Sequence, residues 1–103
     1  PYALKIRYKV TLSADEGGVL AGERPWQLVW ELDNFLAQLR GIFMAEIETP
    51  KKGLDIPIPH WLAPLIVAEV TDRPEFYNKN MAADPQKARA LAYELRAIHS
   101  PSI

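Results

Sequence analysis

The sequence predicts an α+β protein in which antiparallel strands precede a C-terminal helix, and three observations carry that expectation. Residues 2–12, 26–35 and 42–49 alternate apolar and polar side chains with the period of two that marks a half-buried strand. Turn-forming residues separate these runs. Residues 84–99 switch to the helical period, placing Ala88, Leu91, Ala92, Leu95 and Ile98 on one stripe.

Bulk composition sets the limits. A chain of 103 residues makes one domain with a modest core, and 49% hydrophobic content against 24% charged is that of a globular protein and not of a disordered tail. With no cysteine there is no disulfide, no thiolate nucleophile and no sulfur-ligated metal, which fits a reducing cytoplasm, the location expected here. A formal net charge of −1 provides no general attraction for nucleic acid or an anionic membrane. Any recognition of phosphate therefore depends on a local arrangement. No apolar run approaches the roughly 18 residues of a membrane span, and a soluble protein without membrane or non-specific nucleic-acid partners is expected.

In the first strand Leu4, Ile6, Tyr8 and Val10 share one face, and Lys5, Arg7 and Lys9 the other. "SADEGG" supplies turn chemistry, and the loop through Arg24-Pro25 has room for a short irregular strand. The second strand, "WQLVWELDNF", sets Trp26, Leu28, Trp30 and Leu32 against Val29, Glu31, Asp33 and Phe35. The third, "IFMAEIET", puts Met44, Glu46 and Glu48 on one side and Phe43, Ala45 and Ile47 on the other. Proline makes "PKKGLDIPIP" an extended connection. "HWLAPLIVAEV" reads either as a short helix strained by Pro64 or as an irregular apolar cover for a sheet edge, and "TDRPEFYNKN" as a loop. Asp84 is the expected N-cap of the terminal helix, with Pro85 at its first position.

The charges are sorted by sign: three cations on the first strand, and carboxylates at i and i+2 on the second and third. If the second and third strands form a hairpin, one register sets Asp33 opposite Glu46 and Glu31 opposite Glu48. Like charges facing each other across a sheet destabilise it by up to about 1 kcal/mol per pair. A divalent cation such as Mg²⁺ or Mn²⁺, or the cationic face of the first strand, offsets that repulsion. Such a surface suits a phosphate chain. A solvated outer face produces the same alternation, so periodicity alone leaves both readings open. His60 in a proline-rich connection, His99 at a helix end and the Lys51-Lys52 pair have ordinary structural explanations, and Trp26 and Trp30 read as core.

The ordered pieces Lys5-Ile6-Arg7-Tyr8, Trp30-Glu31-Leu32-Asp33-Asn34-Phe35, Ala45-Glu46-Ile47-Glu48, Trp61-Leu62, Glu69-Val70-Thr71 and Phe76-Tyr77-Asn78 resemble the C-terminal half of the CYTH family, also called triphosphate tunnel metalloenzymes. The likeness covers roughly residues 4 to 82 and leaves the terminal helix outside it. It implies an antiparallel β-barrel of the triphosphate-tunnel type, here a partial barrel in residues 1–82 followed by the helix 84–99, all in one domain. Its implied activity is metal-dependent hydrolysis of a triphosphate, inorganic tripolyphosphate or an organic one, with Mg²⁺ or Mn²⁺ as cofactor. Carried over by position, Lys5, Arg7 and Lys9 contact phosphate. Glu31 and Asp33 line the acidic side of the substrate site, Glu46 and Glu48 are the catalytic pair, and Glu46, Glu48 and Asp33 hold the metal.

The family's E-x-E-x-K strand is absent from this chain. A missing N-terminal segment, a second chain that completes the barrel, or a relative without catalysis would each account for that. The first is the expectation, because the chain opens without methionine directly at a matching segment. The resemblance also leaves room for cyclisation of ATP, for thiamine triphosphate or RNA 5′-triphosphate as substrate, and for a non-catalytic polyphosphate- or nucleotide-binding or protein-interaction module.

Overall fold

The structure is a computed structural model that describes residues 3–99, with side chains through Arg96. Tyr2 and the side chains of Ile98 and His99, which figure in the sequence reading, lie outside what it describes. The strands are β1 (Lys5–Thr11), β2 (Val19–Leu20), β3 (Trp26–Gln27), β4 (Val29–Phe35) and β5 (Phe43–Ile47), and the helices are α1 (Asn78–Ala83) and α2 (Pro85–His99). β1, β4 and β5 form one sheet in that order, and β2 pairs antiparallel with β3. The architecture is α+β with antiparallel sheets and a C-terminal helix. No closed barrel forms among the described residues.

The expected second strand is in fact two. Leu28, fully buried, separates β3 from β4, and its amide donates to the Gly18 carbonyl at 2.8 Å. The Gln27 side-chain amide meanwhile donates to the carbonyls of Leu12 at 3.1 Å and Gly18 at 2.8 Å. Main-chain groups that would otherwise continue a ladder are thus turned toward other segments. The apolar segment after His60 is a single 3-10 turn at Ala63–Leu65 and not a full helix, as Pro64 inside it would require. The stretch read as a loop before Asp84 instead contains α1, whose Met81 and Ala82 are buried. Asn and Lys at its start disguise it in the sequence. Asp84 does cap α2, with Oδ1 accepting from the Lys87 amide at 3.2 Å.

The chain divides into two compact units. Among the described residues one takes in 3–6, Asn34–Phe43 and 66–99; the other is Arg7–Asp33 with Met44–Leu65. In the first, Phe35, Leu39, Ile42, Phe76, Met81, Ala82 and Ala88 are buried, and the Arg96 side chain donates to the Gly41 carbonyl at 3.3 Å. In the second, Leu28, Trp30 and Leu62 are buried.

β1 departs from the pattern its alternation predicts. Leu4, Ile6 and Tyr8, the intended buried face, are 53%, 44% and 57% exposed. β1 is an outer strand of its sheet, so one of its edges has no neighbouring strand among the described residues.

Candidate functional site: an arginine held by two carboxylates

The register of β1 on β4 builds the site. The Leu36 amide donates to the Leu4 carbonyl at 2.8 Å. An antiparallel ladder continued from that bond places Lys5 across from Phe35 and Arg7 across from Asp33. Both pairings occur. The Lys5 ammonium lies 5.4 Å from the centre of the Phe35 ring.

Arg7 grips Asp33 with a two-pronged fork, Nε to Oδ1 at 2.7 Å and Nη2 to Oδ2 at 2.8 Å. Its Nη1 reaches Glu31 Oε2 at 2.8 Å. Glu31 and Asp33, two residues apart on β4, project from the same side of the strand and so meet one guanidinium together. The Asp33 side chain is 0% exposed and the Arg7 side chain 33%. One end of the pair is therefore sealed and the other reaches water. The hydrogen bonds to Asp33, with the fields of Asp33, Glu31 and Glu46, push the Arg7 guanidinium further above its already high pKa. It is a permanent cation at any physiological pH.

Other residues singled out from the sequence occupy distinct surroundings. Lys9 and Glu46 are exposed on β1 and β5, and Glu48, just past the end of β5, is exposed as well. The Glu48 main-chain carbonyl accepts the Trp26 indole N–H at 3.1 Å, a contact that alternation could not reveal because it joins a side chain to a backbone atom. Asp33, expected among the metal ligands, has both side-chain oxygens on Arg7. Among the described residues no group of three or more metal-ligating side chains is assembled. The donor set still suits Mg²⁺: that ion is commonly held by one or two carboxylates, with substrate phosphates and water completing the shell. Glu46 and Glu48 are exposed carboxylates of that donor type.

Two surface depressions lie elsewhere. One is lined by residues including Pro74, Asn80, Asp84 and Lys87, the other by Leu12, Asp15, Glu16, Pro59, His60 and Trp61. Neither includes Arg7, Glu31, Asp33, Glu46 or Glu48. The Asn78 side-chain oxygen is buried without a hydrogen-bond partner in its surroundings. No helix of the described chain is long and apolar enough to cross a membrane.

No family model matches the chain, and no solved structure matches it. A curated protein does: over 87 residues, 84% of this chain, the sequence is 36% identical to a protein of Acetivibrio thermocellus named inorganic triphosphatase. The chain spans 45% of that relative's length, so the likeness is to part of an inorganic triphosphatase.

Proposed function

We propose that the chain is part of a triphosphatase of the CYTH, or triphosphate tunnel, type that hydrolyses a triphosphate-bearing substrate with Mg²⁺ or Mn²⁺, inorganic tripolyphosphate first among the candidates. The observation that carries this reading is the 36% identity to an inorganic triphosphatase over most of the chain. The sign-sorted side chains on β1, β4 and β5 support it. Hydrolysis of a phosphoanhydride develops negative charge on the phosphoryl oxygens. Arg7, Lys5 and Lys9 are the chain's means of neutralising that charge.

In this reading Arg7 offers a planar, permanent cation, while Lys5 and Lys9 act as point charges on longer, mobile stems. Glu46 and Glu48 would hold the metal. When bound, the metal offsets phosphate charge and lowers the pKa of a coordinated water. The exposed apolar side of β1 is where further strands, from the same gene product or from a second chain, would pack to complete a barrel, and that surface also suits an interaction module.

The test is phosphate release from inorganic tripolyphosphate by the full gene product with Mg²⁺ or Mn²⁺, run beside Glu46→Gln. Hydrolysis in the wild type and a drop of about 100-fold or more in the variant is expected, the scale of losing one electrostatic or acid–base group at an active site. Equal rates would remove Glu46 from the mechanism, and no release by either protein would end the triphosphatase reading.

A further inference from the structure

We infer that Asp33 is a positioning residue: its buried carboxylate fixes the Arg7 guanidinium so that the remaining N–H groups of Arg7 form a preset receptor for a terminal phosphoryl group. This rests on the triphosphate reading and assigns Asp33 a role in it other than holding metal.

A guanidinium carries five N–H groups: one on Nε and two on each terminal nitrogen. Asp33 takes the Nε–H and one from Nη2, and Glu31 is ion-paired with Nη1 at 2.8 Å. At least one N–H therefore remains on each terminal nitrogen. Asp33 lies on the sealed side of the group, and the Arg7 side chain keeps 33% of its surface. A free arginine would lose rotamer entropy on gripping phosphate. One already clamped in two-pronged fashion has lost it on folding, so the ligand does not bear that cost. Two N–H groups on adjacent nitrogens match two oxygens of one phosphoryl group.

The sign of one substitution separates this role from plain electrostatics. Asp33 is an anion near the place where an anion would bind. On charge alone, Asp33→Asn should tighten phosphate binding. If Asp33 works through the direction it imposes on Arg7, the same change weakens it. Glu31 makes a single contact, so Glu31→Gln follows the charge argument.

The experiment titrates inorganic tripolyphosphate into the full gene product by calorimetry, with excess EDTA so that no metal-ligand role contributes. The expected result is a dissociation constant at least about 10-fold weaker for Asp33→Asn, which corresponds to roughly 1.4 kcal/mol, and unchanged or tighter binding for Glu31→Gln. Equal or tighter binding by Asp33→Asn would overturn the inference, as would equal losses in both variants. Absence of binding by the wild type in EDTA also overturns it, while the metal-supplemented hydrolysis assay decides the triphosphatase reading separately. Should Asp33→Asn not fold, the Arg7 Nε–H resonance of the ¹⁵N-labelled wild type gives the answer. Its persistence, protected from solvent exchange, at saturating tripolyphosphate supports an Arg7 still clamped by Asp33. Loss of that protection on binding shows phosphate replacing the carboxylate and refutes the role.

Discussion

The indole of Trp26 donates its N–H to the main-chain carbonyl of Glu48 across 3.1 Å, tying β3 to the end of β5. The bond fixes the backbone from which one of the two exposed carboxylates proposed to hold metal projects. Trp26→Phe keeps the apolar ring and removes only the donor. A net cost of about 0.5–1.5 kcal/mol is expected, toward the lower end because the bond is exposed. The urea midpoint, read at constant m-value, measures it.

Ala37 occupies the left-handed region, with φ of 54°, in the turn that leaves β4. An L-residue loses about 1–2 kcal/mol there. Glycine removes that strain while adding backbone entropy to the unfolded chain, worth about 0.5–1 kcal/mol. Ala37→Gly should therefore stabilise the protein by a net ~0.5–1 kcal/mol, seen as a higher melting temperature. A lower one would show that the side-chain methyl has packing value in this turn.

Gly18 behaves in the opposite way. A Cβ built there would overlap the Leu12 carbonyl oxygen, a backbone atom that cannot swing aside. Gly18→Ala has to separate the end of β1 from the segment leading into β2, and should cost at least the ~1–3 kcal/mol typical of overpacking. Gly53→Ala is the control: nothing lies within 4 Å, but φ is +80°. Only the conformational penalty of about 1–2 kcal/mol applies there. Thermal denaturation of the two variants side by side should rank Gly18→Ala as the less stable.

Glu75 is held below its ordinary pKa of 4.5 by its own backbone amide and by Arg73, whose Nη2 donates to Oε2 at 3.0 Å. The folded state thus favours the ionised form. This contribution is present above 4.5 and is lost as pH falls through the depressed folded value. Glu75→Gln should lower stability slightly at neutral pH and not at all once the wild-type carboxyl is protonated. Urea midpoints of both proteins should therefore converge in acid. Arg7, raised in pKa, shows the reverse linkage, but its titration lies too far into the alkaline range to shape any acid or neutral limb.

How much of this was legible in the sequence depends on whether a contact is local. The period-two runs located β1, β4 and β5, and Asp84-Pro85 located the start of α2, because these signals sit within one element. The pairing of Arg7 with Asp33 has no sequence signature. It follows from a register set by Leu4 and Leu36, residues whose apolar character says nothing about alignment. Alternation also predicted burial for Leu4, Ile6 and Tyr8, but pattern marks the side of a strand and burial needs something packed upon it. α1 escaped notice because six residues beginning Asn-Lys-Asn cannot display a helical period. The split at Leu28 stayed hidden because an unbroken alternation runs through it.

The Arg7–Asp33 pair is sealed at one end only, and this makes its two halves unequal in stability. Arg7→Met removes the cation from a carboxylate with 0% side-chain exposure, and removing one partner of a buried ion pair costs about 3–5 kcal/mol. Asp33→Asn removes the anion from a guanidinium that is 33% exposed, still contacts Glu31, and recovers hydration for part of its surface. The retained side-chain carbonyl can also still accept one of the two donors. A cost of about 1–3 kcal/mol is expected for it, the range for a lost hydrogen bond to a charged group. Chemical denaturation should therefore place Arg7→Met below Asp33→Asn in stability. The reverse order would mean that Asp33 draws more of its stabilisation from contacts other than the Arg7 fork.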